Sequence, residues 1–325
     1  MLSRMADALF WMSRCIERAD NTARLVEINL LHLIGLEEEH LSAEQWEPLL
    51  TIAGSTRTFS AIAQSPEINK ASVVSFLIQE RANPNSIHSS IRVARENARV
   101  VRDRISKEMW AALNGDWLVM DAALRKSLLP ERAPAFCTRV HSTVARFQGL
   151  SDATMMGGEA YGFYRLGLFM ERADMTARIL DVKYHILLPD LMKVGSPLDY
   201  YQWGALLKSL SGFEAFRRLY HVGIRPIDVT EFVIFNPDFP RSLAFCLQRM
   251  KGALEQVLPP PLESDTGRAL GELLDLLTRH SPESVFQNGL HEFLQEFLWR
   301  LAVLNSAVQS NYFEPNLGGH NALLH

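Results

Sequence analysis

The chain has 325 residues, is 47% hydrophobic and carries a net charge of −4, so it can bury a large core and has no bulk charge to draw it to nucleic acid or a membrane surface. Its three cysteines, Cys15, Cys137 and Cys246, are far apart and form neither metal nor redox spacing, which fits a reducing compartment. Arg4, Asp7, Arg14, Glu17 and Arg18 interrupt any leader-like apolar stretch, and later apolar runs are too short to span a bilayer. A soluble, cytoplasmic protein is expected.

Apolar residues at three- and four-residue spacing predict a first helix over about Ser3 to Leu36. Ile16, Ala19, Ala23, Val26 and Leu30 line one side of it, with Glu17, Asp20, Arg24 and Glu27 on the other and Arg18 near the boundary. After Glu37-Glu38-Glu39-His40, Ser42 is a candidate cap for a second helix containing Gln45-Trp46 and Leu49-Leu50. A shorter helix runs through Val73–Ile78, and Asn83-Pro84-Asn85-Ser86 breaks it. The next helix, about Ile87 to Leu113, carries His88, Arg92, Arg95, Arg99 and Arg102 along one side and Ile91, Ala94, Ala98, Val101 and Ile105 along the other. A short helix near Asp116–Leu128, a break at Pro130 and Pro134, and a helix from about Ala135 to Leu150 follow.

The chain then runs the same order again. Glu17-Arg18-Ala19-Asp20-Asn21-Thr22-Ala23-Arg24 returns as Glu171-Arg172-Ala173-Asp174-Met175-Thr176-Ala177-Arg178, inside a helix of about Glu159 to Leu188. Gln202-Trp203 and Leu206-Leu207 answer Gln45-Trp46 and Leu49-Leu50, and Phe232-Val233-Ile234 answers Phe76-Leu77-Ile78. Asn236-Pro237-Asp238 answers Asn83-Pro84-Asn85, Ser242 falls where Ser89 did, and Phe286 and His291 answer Phe136 and His141. We expect an all-α fold built as a helical bundle from two duplicated halves, about 1–153 and 154–313, folding as one unit, with 314–325 a tail. No alternating β-branched run bounded by hairpin turns predicts a strand.

The twice-stated phrase marks a site with two readings. In one, the helices cross-pair, Glu17 with Arg172 and Arg18 with Glu171, as a buried structural network. In the other, Glu17 and Glu171 line a polar cleft as catalytic acid and base, while Arg18, Asp20, Arg24, Arg172, Asp174 and Arg178 hold a ligand. His88, Arg92, Arg95, Arg99 and Arg102 form a second candidate, an anion or partner surface, since Glu96 and Asp103 flank the arginines and a helix N-terminus lies beside His88. A phosphate, a peptide carboxylate or an acidic protein surface would satisfy it. His141 and His291 stand amid apolar neighbours and read as core histidines, and no metal site, cofactor or phosphate loop is expected.

Several stretches together resemble the alpha-E family of bacterial all-helical proteins, named for a Glu-Arg motif. They are Met1-Leu2-Ser3-Arg4, Leu9-Phe10-Trp11-Met12, both Glu-Arg phrases, Asn83-Pro84-Asn85-Ser86-Ile87 and Ala94-Arg95-Glu96-Asn97-Ala98-Arg99. Cys15 departs from that pattern, where a tyrosine often precedes the first phrase. The resemblance implies genes lying beside those for ATP-grasp ligase-like proteins and transglutaminase-like peptidases. It therefore implies an accessory or substrate-binding protein for an ATP-grasp-type amide ligase in peptide or amide bond formation or processing. A stand-alone enzyme on peptide or amide substrates, using Glu17 and Glu171, and a purely structural interaction scaffold are the alternatives.

Overall fold

Thirty residues without glycine or proline, Ser3–His32, form the first helix, α1, of a computed structural model that describes residues 1–32, 46–62, 67–125, 128, 130–187, 197–221, 223–257 and 264–313. Ala6, Leu9, Met12, Ile16, Ala19, Ala23 and Val26 bury the expected stripe. The opposite side is also covered, with Phe10, Glu17, Asp20 and Leu25 buried, so α1 is a central helix rather than an amphipathic surface one.

The remaining helices are α2 (Glu47–Ile52), α3 (Thr56–Ile62), α4 (Lys70–Ile78), α5 (Ile87–Val100), α6 (Lys107–Leu124) and α7 (Ala133–Thr154). They continue as α8 (Glu159–Leu187), α9 (Pro197–Ser209), α10 (Phe213–Leu219), α11 (Pro226–Thr230), α12 (Leu243–Leu254), α13 (Asp265–Thr278), α14 (Pro282–Asn288) and α15 (Leu290–Val308). No strand occurs among the described residues, and none of their helices is long and apolar enough to cross a membrane. Ser42, the acidic run before it and the segment 314–325 lie outside the described residues.

One boundary differs from expectation. The helix predicted over 87–113 ends at Val100, and Ser106 starts α6 by accepting the Met109 N–H at 3.1 Å. A serine hydroxyl that satisfies an orphan N–H makes a break cheaper than continuation. Val101 and Ile105 in the intervening turn stay buried, so the apolar stripe continues across it.

α1 and α8 lie together at the centre, and the same kinds of neighbour surround each. α5 and α7 pack on α1 with α6 between them, while α12 and α15 pack on α8 with α13 between them. The short helices cross over, α2 packing on α8 and α9 on α1. The turns after these two helices match. Gly54 (φ +61°) and Ser211 (φ +52°) are both left-handed, and Ser55 N–H to Leu50 O and Gly212 N–H to Leu207 O are both 2.8 Å. Two cores result, one largely of residues before 154 and one largely of residues after it. Phe10, Leu25 and Ile52 reach into the second, and Phe163, Tyr164 and Val257 into the first. Trp46 and Trp203 are buried, as their spacing from leucines predicts.

Candidate functional site

The two phrases meet face to face between α1 and α8. Arg172 donates to Glu17 through Nε (2.8 Å) and Nη2 (3.0 Å), and Arg18 donates to Glu171 through Nε (2.6 Å) and Nη2 (3.0 Å). These are paired forks, the strongest arrangement for a guanidinium on a carboxylate. Each glutamate also receives a second arginine that does not belong to its phrase. Arg241 reaches Glu17 at 2.9 Å and Arg14 reaches Glu171 at 2.8 Å. Gln148 completes the shell of Glu17 at 2.9 Å.

Glu17 and Glu171 are 0% and 2% exposed. Burial alone would push both carboxyls up, but the guanidiniums outweigh it. Arg172 and Arg241 hold Glu17 below its ordinary value, and Arg18 and Arg14 bring Glu171 down to about 2. Both are therefore ionised at neutral pH and enclosed. That is the wrong state for a general acid and the wrong access for a base, so the geometry assigns them to the scaffold rather than to an acid–base pair.

Asp20 is equally committed. It accepts from Arg24 Nε (2.9 Å) and Arg241 Nη2 (2.9 Å), and His141 Nδ1 lies 2.7 Å from its other oxygen. Burial opposes its charge, but His141, Arg241 and Arg24 bring its pKa well below the ordinary range. His141 Nε2 lies 3.2 Å from Glu27, so this histidine bridges two carboxylates of α1. His291 takes the matching position, with Nδ1 at 2.6 Å from Asp181. The apolar surroundings expected for both histidines are corrected here, because the long helices supply the acids opposite them. Arg24 extends past Asp20 to the Ser211 hydroxyl in the turn after α9.

Asp174 and Arg178 are less enclosed. They pair on their own helix at 2.7 and 3.2 Å, and Arg178 remains 38% exposed. Arg178, Asp181, Thr51, Gln295 and the exposed Trp299 border a cavity of about 330 Å³. Of the six expected ligand-binding residues, Arg18 and Asp20 are spent on internal partners. Arg24 is spent nearly so, and only Asp174, Arg178 and one edge of Arg172 keep free capacity.

The arginine stripe is partly dismantled. His88 leaves it, being 4% exposed, 3.1 Å from Asp121 through Nε2 and packed on Trp117. Arg95 is half-buried, donates to Asn114 at 2.8 Å and pairs with Glu96 at 2.6 Å. Glu96 also lies 3.7 Å from Arg99, so it offsets two of the arginines rather than merely flanking them. Arg102 sits 4.8 Å over the Trp110 ring, in the turn beyond the helix. Among the described residues Arg92 and Arg102 have no carboxylate partner, and both are exposed.

Arg14, Arg241 and Gln148 are site residues that the sequence did not mark, and His141, expected as a core histidine, joins them. Arg14 stands one turn before Arg18, and Arg241 directly precedes Ser242, the cap of α12, as Asn85 precedes Ser86, the cap of α5. Asn85 and Arg241 then do related work, since Asn85 accepts from Arg18 at 3.1 Å. This places Ser242 opposite Ser86 rather than Ser89. The cysteines offer no nucleophile. Burial pushes the thiols of Cys15, Cys137 and Cys246 up to about 11, 12 and 12. Among the described residues no group of three or more His, Cys, Asp or Glu side chains is arranged to hold a metal ion.

Comparison with known proteins agrees with the architecture. The chain is 24% identical to the uncharacterized protein Mb2597 of Mycobacterium bovis and to the uncharacterized protein MT2643 of Mycobacterium tuberculosis, over 91% of its own length. It spans 35% of theirs, about a third of the curated relatives it matches. No solved structure matches it. The family described as Alpha-E, a predicted alpha-helical domain with a conserved ER motif, matches residues 1–313, the span that holds both crossed Glu-Arg pairs, and the chain belongs to that family.

Proposed function

We propose that this chain is an accessory or substrate-binding partner of an ATP-grasp-type amide ligase, in bacterial peptide or amide bond formation or processing, with a transglutaminase-like peptidase as a further associate. The observation that carries this reading is the state of the two glutamates. An enzyme built on Glu17 and Glu171 needs an accessible carboxyl with a raised pKa, and both are enclosed and lowered. An adaptor needs cations on an open face, and Arg92, Arg99 and Arg102 are exposed there. The length relation is compatible with it, since the matched region is one part of a longer chain in the mycobacterial relatives. The partner itself is inferred from the family resemblance.

The test is co-purification with an ATP-grasp ligase-like protein from the same organism, at low and at high salt. Complex formation that weakens with salt and with Arg92→Ala/Arg99→Ala/Arg102→Ala is the expected outcome. A chain that hydrolyses or forms amide bonds alone, and loses that activity in a folded Glu17→Gln variant, would restore the enzyme reading.

A further inference from the structure

A second cavity, of about 230 Å³, lies where α7, α8 and α12 meet, and three arginines from two helices line it: Arg165 and Arg172 from α8, and Arg249 from α12. Phe169 and Phe245 form its apolar wall, their rings edge to face at 5.9 Å, and Gln148 closes one side. The cations rest on those rings. Arg165 and Arg172 lie 4.7 and 5.3 Å over Phe169, and Arg249 lies 4.7 Å over Phe245. Stacking on a ring consumes no N–H group, so Arg249 and the parts of Arg165 and Arg172 not donated to Asp152, Tyr161 and Glu17 are left to meet an acceptor.

The local charge is not balanced. Arg172, nine-tenths buried, spends Nε and Nη2 on Glu17 and leaves Nη1 only a long 3.4 Å contact to the Pro240 carbonyl. Arg165 meets Asp152 at 3.3 Å, and that carboxylate is exposed at the rim. Arg249 has no carboxylate partner among the described residues. Asp152 is the one acid in the lining against three arginines, whereas in the cavity beside Trp299 Asp181 stands against Arg178 alone. An excess of oriented guanidinium around a small, partly apolar hollow is what an anionic group needs.

We propose that this cavity binds one phosphate or carboxylate group, held by Arg249, Arg165 and the free edge of Arg172, with the adjoining apolar part of the ligand on Phe169 and Phe245. Binding by the chain alone does not depend on the ligase reading, so either can fail without the other. Phosphate and peptide carboxylate share the chemistry and differ in source.

The experiment is calorimetric titration of the full chain with inorganic phosphate and, separately, with N-acetyl-Ala-Phe bearing a free carboxylate, its C-terminal amide serving as the neutral control. Saturable binding of at least one anion and none of the amide is expected, and whichever anion binds more tightly identifies the source. Arg249→Gln and Arg165→Gln should each weaken it by about tenfold or more, the loss expected for one charge-assisted hydrogen bond. Arg92→Gln, on the remote face of α5, should leave it unchanged. Neither arginine belongs to the buried network, and circular dichroism checks that both variants fold. If one fails to fold, the other decides. Absence of saturable binding by both anions, binding unchanged in the folded variants, or an equal loss in Arg92→Gln would overturn the proposal.

Discussion

Gly167 of α8 lies against Ser13 of α1 so closely that a Cβ at 167 would collide with the Ser13 hydroxyl oxygen and the Phe10 carbonyl. This close approach lets the Glu-Arg phrases, one turn further along each helix, reach across and exchange arginines. Gly167→Ala should therefore destabilise the protein by about 1–3 kcal/mol, since backbone blocks the new methyl. Gly149→Ala, in α7 with open space around it, should be neutral or stabilising by roughly 0.5–1 kcal/mol. Urea unfolding of the two variants makes the comparison, and equal effects would contradict the packing described.

The crossed pairs predict a contrast between carboxylates. Glu17→Gln leaves Arg172 and Arg241 buried without their shared charge and should cost about 3–5 kcal/mol. Asp174→Asn removes a partner from a half-exposed pair on one helix and should cost roughly 1 kcal/mol or less. If both substitutions prove equally mild, the phrase is not the structural centre.

Acid should unfold the protein through the same groups. Glu17, Asp20 and Glu171 have folded pKa values below their unfolded ones, so their contribution is fully present above the unfolded values and is lost as pH falls through the folded ones. For Glu171 that window runs from the ordinary value of 4.5 down to about 2. Urea midpoints measured across this range should decline steeply in the wild type. In Glu171→Gln the decline should be shallower, starting from a lower plateau. A wild-type midpoint that does not move below pH 4.5 would show that the network carries no differential charge energy.

Much of this was legible in the residues. The repeated phrase at matched helical spacing predicted two long helices carrying the same charges, and the crossed pairing of Glu17 with Arg172 was one of the two readings it left open. The order of neighbours around α1 and α8 and the matching turns at Gly54 and Ser211 support the duplication that we propose from those repeats. Arg241 was not legible. Its role depends on where the loop before α12 delivers it, and the matching position before the cap of α5 holds an uncharged residue, Asn85. The Arg165–Arg172–Arg249 cavity was hidden for a related reason, since its cations come from two helices and form no stripe on either. Along α5 the stripe was visible but over-read, because spacing cannot show that His88 turns towards Asp121 or that α5 stops at Val100.

The arginines of this face are of two kinds, and the difference can be tested. Arg95 is held by Asn114 and Glu96, and its guanidinium lies 5.8 Å from the Trp110 ring, so it fastens α5 to α6. Arg95→Ala should lose about 1 kcal/mol of stability, through a hydrogen bond and a ring contact. Arg92 has neither anchor and is exposed, so Arg92→Ala should move stability by no more than about 0.5 kcal/mol. Against an acidic partner the ranking should reverse. Arg92→Ala should slow association and flatten its salt dependence, because an unneutralised exposed cation acts mainly on encounter, while Arg95, already paired with Glu96, should contribute less to steering. Thermal unfolding and association rates measured on the same two variants give both halves of the prediction. If Arg92→Ala unfolds the protein while leaving association untouched, the exposed face of α5 is scaffold and the docking surface lies elsewhere.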